Sequence, residues 1–174
     1  MALTVFGSGD FGGAYVLRMA VKRNIRVRFG QFMGGQQVAV SVGMYVYVGS
    51  AMGSDKALGR RLVRHVTRSG RASDYRIKQD IINVFGKGIS PRGEKKLLWH
   101  IDYLLDRCEV DMTDILALRS SERLEGAIAQ ILMAEGEIVA KGLGASDIKG
   151  HTHLLKVDAD LSWWENLKVR LANL

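Results

Sequence analysis

Between residues 13 and 66 the hydrophobic period changes once, from two to three or four, and that change limits the fold. Gly13–Val21 carries Ala14, Val16, Ala20 and Val21 around Tyr15 and Leu17 and reads as a strand. Lys22-Arg23-Asn24 is a turn. Ile25–Phe29 alternates apolar and basic residues, the pattern of a strand with one wet face. A glycine-rich loop follows at Gly30–Gln37. Val38–Val48, rich in Val and Tyr, reads as one further strand. These three strands are expected to form an antiparallel meander. The period then becomes helical. Ser54 or Asp55 can cap a helix whose Leu58, Leu62, Val63 and Val66 form an apolar stripe. Arg61 and His65, four apart, share another face, and Arg64 and Arg68 form a second such pair.

The rest of the chain is less regular. Asp80–Phe85 fits a short helix or strand, and Gly86–Gly93 a loop. Leu97–Asp106 is read as a helix with Leu98, Ile101, Leu104 and Leu105 inward, and Asp114–Arg119 as a strand. Ser120 or Ser121 is expected to cap a helix running to about Glu135, with Leu124, Ile128, Ile131 and Leu132 inward and Gly136 ending it. Ile138–Val157 suggests short strands around a Gly-rich turn. Trp163 and Trp164 sit in a last amphipathic segment. Residues 1–12 are read as a flexible leader. The expected architecture is a single α/β (α+β) domain over residues 1–174, a small, mainly antiparallel sheet flanked by helices.

Charge narrows the function. Between Lys56 and Lys96 stand 12 Lys/Arg against 3 Asp/Glu, while the rest of the chain has 13 against 15. The whole positive excess of +7 therefore lies in one stretch. So local a concentration is the footprint of a phosphate-backbone binder, and otherwise a solvated face. Arg60, Arg64, Arg68, Lys87, Lys95 and Lys96 are its candidate phosphate contacts. No apolar run is long enough for a membrane span, and no signal-peptide pattern opens the chain. The one cysteine, Cys108, excludes an internal disulfide and points to a reducing, cytoplasmic setting; it is expected in the core.

The residue types allow phosphodiester hydrolysis. A carboxylate such as Glu125 or Glu122 can hold a divalent metal, an arginine can stabilise charge on phosphoryl oxygens, and a tyrosine or histidine can take a proton from water. Spacing alone does not bring these groups together. His100 and Asp102, two apart on a helix, do not face each other and are read as structural. His151 and His153, without further clustered ligands, make a poor zinc site.

Gly13-Ala14-Tyr15 and Tyr47-Val48-Gly49 resemble the two half-motifs that name the GIY-YIG nuclease superfamily. Arg61-Leu62-Val63-Arg64-His65 resembles its following helix, with an arginine and a histidine one turn later. Ile25–Gly30, Trp99–Leu105 and Gly142–Asp147 are similar to the Uri-type branch, whose members occur alone or fused to endonuclease III-like glycosylases. The resemblance spans roughly residues 13 to 157 and leaves 68–96 as a basic insertion. Ala14 replaces the usual isoleucine, and the superfamily's late asparagine has no clear counterpart; Ser146-Asp147 with His151 and His153 stands in that region.

The resemblance implies a metal-dependent endonuclease. Tyr15 and Tyr47 would line the site and one would accept the proton. Arg61 would stabilise the transition state, and His65 would orient the tyrosine and its water. Glu125 would be the single metal ligand, with Glu122 in reserve, for Mg2+ (or Mn2+). Gly49 would leave room for the substrate phosphate. DNA is favoured over RNA, because no aromatic platform for single-stranded bases stands out. A repair-enzyme partner fits the fusions. The alternative is a non-catalytic nucleic-acid-binding or partner-docking module on the same fold.

Overall fold

The structure, a computed structural model, describes residues 2–9, 11–69, 75–89, 95–145, 150–158 and 160–174. At its centre lies β2 (Gly13–Val21), which alternates between two apolar layers. Tyr15, Leu17, Met19 and Val21 enter one layer, and Ala14 and Val16 the other. A strand apolar on both faces needs cover on both sides, and helices supply it.

Two long strands flank β2, both antiparallel to it. β5 (Gly43–Ala51) pairs Tyr15 with Gly49 and Leu17 with Tyr47. β6 (Val110–Arg119) pairs Gly13 with Arg119 and Val21 with Val110. The sheet is completed by β1 (Ala2–Phe6), parallel to β6, and by β8 (Leu154–Val157) and β7 (Glu137–Ile138), in the order β1-β6-β2-β5-β8-β7. The sheet is mainly antiparallel and the fold mixed α and β, as the patterning predicts.

β3 (Ile25–Arg28) and β4 (Gln37–Val40) form a separate two-stranded ribbon, joined through a 3-10 turn at Phe32–Gly35. The expected meander is therefore corrected. Val38–Val48 is two strands, and β2 bonds β5 directly, because both of its edges are taken by longer partners. The leader is corrected too. Leu3 and Val5 pack on the core once β6 offers an edge, a pairing that the five-residue run does not advertise by itself.

On the Tyr15 side of the sheet lie α1 (Asp55–Val66), α2 (Tyr75–Phe85) and α3 (His100–Leu105). α1 buries the four residues of its stripe, each contributing about 1.5–3 kcal/mol. α2 buries Ile77, Ile81 and Phe85, so part of the expected basic insertion is a core helix. α3 buries Ile101, Leu104 and Leu105, but Leu98 precedes it and is 67% exposed, not inward. On the other side lie α4 (Glu125–Met133) and α5 (Leu161–Leu171), with Ile128, Leu132, Trp164 and Leu167 buried. α4 starts later than expected. Leu124 precedes it without a side-chain cap, and Ser120 Oγ instead accepts from Glu122 N in a preceding turn. Cys108 is exposed in the turn after α3, not in the core. Among the described residues no helix is long and apolar enough to cross a membrane.

Ser54 caps α1: its Oγ accepts from Ala57 N at 3.3 Å. Ser54→Ala is expected to cost about 0.5–2 kcal/mol of stability, read as a lower urea midpoint with unchanged slope. An unchanged midpoint would remove the cap from this account.

Candidate functional site

The site lies where β2 and β5 run side by side toward α1 and α4. Because Tyr15 is opposite Gly49, the two tyrosine-glycine segments form one surface. The register itself requires the glycine. A Cβ on Gly49 would stand 2.6 Å from Tyr15 Cζ, inside van der Waals contact. The residue is expected from the sequence to leave room for a substrate phosphate; in the structure it leaves room for the Tyr15 phenol.

A cleft of about 440 Å³ opens at this point, lined by Tyr15, Tyr47, Gly49, Ser50, Arg61, Leu98, Trp99, His100, Glu125 and Gly144. Four of the five expected catalytic residues thus line one cavity, although they come from β2, β5, α1 and α4. The fifth, His65, is buried behind Tyr15, with Nε2 2.7 Å from the tyrosine hydroxyl. Burial, the largest cause, raises the Tyr15 pKa well above that of free tyrosine, with the Arg61 charge opposing. Tyr15 is therefore a neutral phenol at ordinary pH, not a standing phenolate.

His65 Nδ1 faces Asp102 Oδ1 at 3.4 Å, longer than an ordinary N–H···O bond. Burial pushes the His65 pKa below the ordinary imidazole value, and Asp102 only partly offsets it. The linkage sign follows. Folded His65 stays neutral while an unfolded chain takes up a proton, so stability is lost as pH falls below about 6.5. Urea unfolding at about pH 7 and about pH 5 is expected to show a larger loss for wild type than for His65→Gln. Equal losses would mean that His65 does not bear this cost.

Arg61 lies on the face of Trp99, its guanidinium carbon 4.0 Å from the ring centroid, which fixes it at the cleft wall. Glu125, at the first turn of α4, accepts from Ser50 Oγ, and its Oε1 lies 3.4 Å from His153 Nδ1. Ser50 shares its strand face with Val46 and Val48, toward α4, and this is how an acid from the far layer reaches the cleft. Glu122 is exposed and not part of the cleft wall. Among the described residues no group of three His, Cys, Asp or Glu could hold a metal ion. One carboxylate beside a hydroxyl still fits an ion that keeps most of its waters and takes phosphate oxygens.

The basic residues divide. Arg60, Lys87 and Lys96 are exposed. Lys95 is a correction: its side chain is 1% exposed and its Nζ lies 3.7 Å from Asp102 Oδ1, because the buried carboxylate draws the ammonium inward. Arg64 likewise binds Asp102, at 2.7 Å, and Arg68 donates to Val110 O and lies 3.7 Å from Asp111. His100 Nδ1 accepts from Gly144 N at 3.3 Å. The rings of His151 and His153 lie 6.5 Å apart, and Ser146 and Asp147 fall outside the described residues.

Sequence reasoning missed Ser50, Trp99 and the connection of Asp102 to His65. Asp102 left a faint signal, a carboxylate three residues before Leu105 on an otherwise apolar face.

Fold and site define an α+β protein with a polar cleft at the end of its central strands, walled by tyrosine, arginine and glutamate. The chain belongs to the family described as Domain of unknown function DUF123, whose model matches residues 14–172. Searches of the curated proteins and of the solved structures found no match.

Proposed function

We propose that this protein is a metal-dependent phosphodiester hydrolase of the GIY-YIG type, in the Uri-type branch, acting on nucleic acid with DNA favoured over RNA. One observation carries the reading: Tyr15, Tyr47, Arg61 and Glu125 meet in one cleft, with His65 bonded to Tyr15. The half-motif resemblance supports the same chemistry.

In this reading Tyr15 relays a proton. A water in the cleft gives its proton to the Tyr15 oxygen as the phenol passes its own to His65 Nε2. Neutral His65 is the right acceptor, and relay spares the buried phenol from standing ionised. The water oxygen bonds phosphorus, the bond to the leaving strand breaks, and the leaving oxygen takes a proton from solvent. Arg61, held by Trp99, stabilises charge on the phosphoryl oxygens. Tyr47 lines the same cleft. Glu125, oriented by Ser50, would hold Mg2+ or Mn2+. When bound, the ion would neutralise phosphate charge and orient its oxygens. The exposed Arg60, Lys87 and Lys96 dock the backbone, making binding sensitive to salt. A repair-enzyme partner that generates the site to be cut belongs to the same reading.

The test is cleavage of branched, nicked, abasic and plain duplex DNA with magnesium or manganese at low salt. Metal-dependent scission of at least one substrate is the expected result. Salt-sensitive binding with no scission of any would replace the enzyme by a non-catalytic nucleic-acid-binding module.

A further inference from the structure

Asp102 is wholly buried and lies outside the cleft wall. A carboxylate removed from water needs donors to replace it. Among the described residues, three donate to its Oδ2: Arg64, through Nη2 at 2.7 Å and Nε at 3.3 Å, and the backbone N–H groups of Leu98 and Trp99, both at 3.1 Å. Its Oδ1 faces His65 Nδ1 at 3.4 Å and Lys95 Nζ at 3.7 Å. Beyond His65, Nε2 meets the Tyr15 hydroxyl at 2.7 Å.

We propose that Asp102 is the positioning residue of this site. It fixes His65 with its proton on Nδ1, so that Nε2 is a bare acceptor for the Tyr15 proton. The same carboxylate anchors the Leu98–Trp99 backbone, whose indole holds Arg61. One buried charge thus sets both the proton relay and the arginine. A cap for α3 would need Oδ2 alone, and the aim of Oδ1 at His65 is what a cap does not explain. An imidazole's tautomer is set by the partner of its other nitrogen.

The catalytic consequence rests on the hydrolytic reading; the tautomer does not. In Asp102→Asn the amide oxygen must turn to the donors of Arg64, Leu98 and Trp99 at Oδ2. The amide nitrogen then donates to His65 Nδ1, which forces the ring proton onto Nε2. Long-range proton–nitrogen correlation spectra of 15N-labelled protein read this directly, with the His65 signals assigned by their loss in His65→Gln. Wild type is expected to show neutral His65 with Nδ1–H, and Asp102→Asn the Nε2–H form. Cleavage is expected to fall about 10²–10⁴-fold in Asp102→Asn, with binding of the same DNA retained. The assignment is overturned by a wild type with the proton on Nε2, by an Asn variant that keeps Nδ1–H, or by one that cleaves at the wild-type rate. The wild-type spectrum decides even where the variant does not fold. If wild type cleaves nothing, the hydrolytic reading falls alone, and the spectrum still supports or overturns the role of Asp102.

Discussion

Arg61→Ala and Glu125→Ala are each expected to lower cleavage by about 10²–10³-fold, the usual loss when one preorganised electrostatic group leaves an active site. They should do so differently. Arg61 leaves Trp99 without its stacked cation, so both phosphate binding and the chemical step weaken. Glu125→Ala removes negative charge from a cleft that, in the hydrolytic reading, receives phosphate. Binding without added metal should therefore stay level or tighten while cleavage is lost. Metal titrations at fixed DNA separate the two, since only the Glu125 variant should need more magnesium for whatever activity remains. Two variants that cut as well as wild type would place the chemistry outside this cleft. Neither substitution removes core packing, so thermal unfolding should stay close to wild type.

Gly49→Ala carries the second large effect, on stability and activity together. The added methyl would sit 2.6 Å from Tyr15 Cζ on a strand held by neighbours on both sides. Neither strand nor ring can yield freely, because Tyr15 is fully buried and bonded to His65. Overpacking of this kind costs about 1–3 kcal/mol. The relief available, a tilt of the phenol, lengthens the bond to His65. A lower urea midpoint with cleavage lost is the expected pair of results. A stable Gly49→Ala that cuts normally would show that the register tolerates a side chain and that Tyr15 does not need its present pose.

These expectations rest on residues of unequal visibility in the sequence. Tyr15, Tyr47 and Arg61 stood in short patterns, two tripeptides and a pair four apart, beside the periodicity that marked β2 and α1. Nothing local pairs Tyr15 with Gly49; that is a property of the register. Asp102 shows the limit most clearly. Judged against its own helix it had no partner, since His100 two positions away points elsewhere. Its partners His65, Arg64 and Lys95 lie on another helix and the segment before α3. Lys95 was misread for the same reason, because a lysine in a basic run looks solvated until a buried carboxylate is known to lie beneath it. Residues 2–6 became a strand only because β6, more than a hundred residues later, offered an edge. Alternation reports which face of a segment is apolar, and distant pairing decides what that face meets.

The pairing of Gly13 with Arg119 also bears on how the protein comes into being. The strand carrying Tyr15 gains one neighbour early and the other only after most of the chain has been made. Closing so long a loop is entropically slow, and folds dominated by such contacts form late and cooperatively. Glu125 follows that closure in sequence, so a nascent or partly refolded chain has its tyrosines and Arg61 without the acid opposite them. In the hydrolytic reading, a centre that needs both strands and Glu125 gains its competence only with the finished sheet.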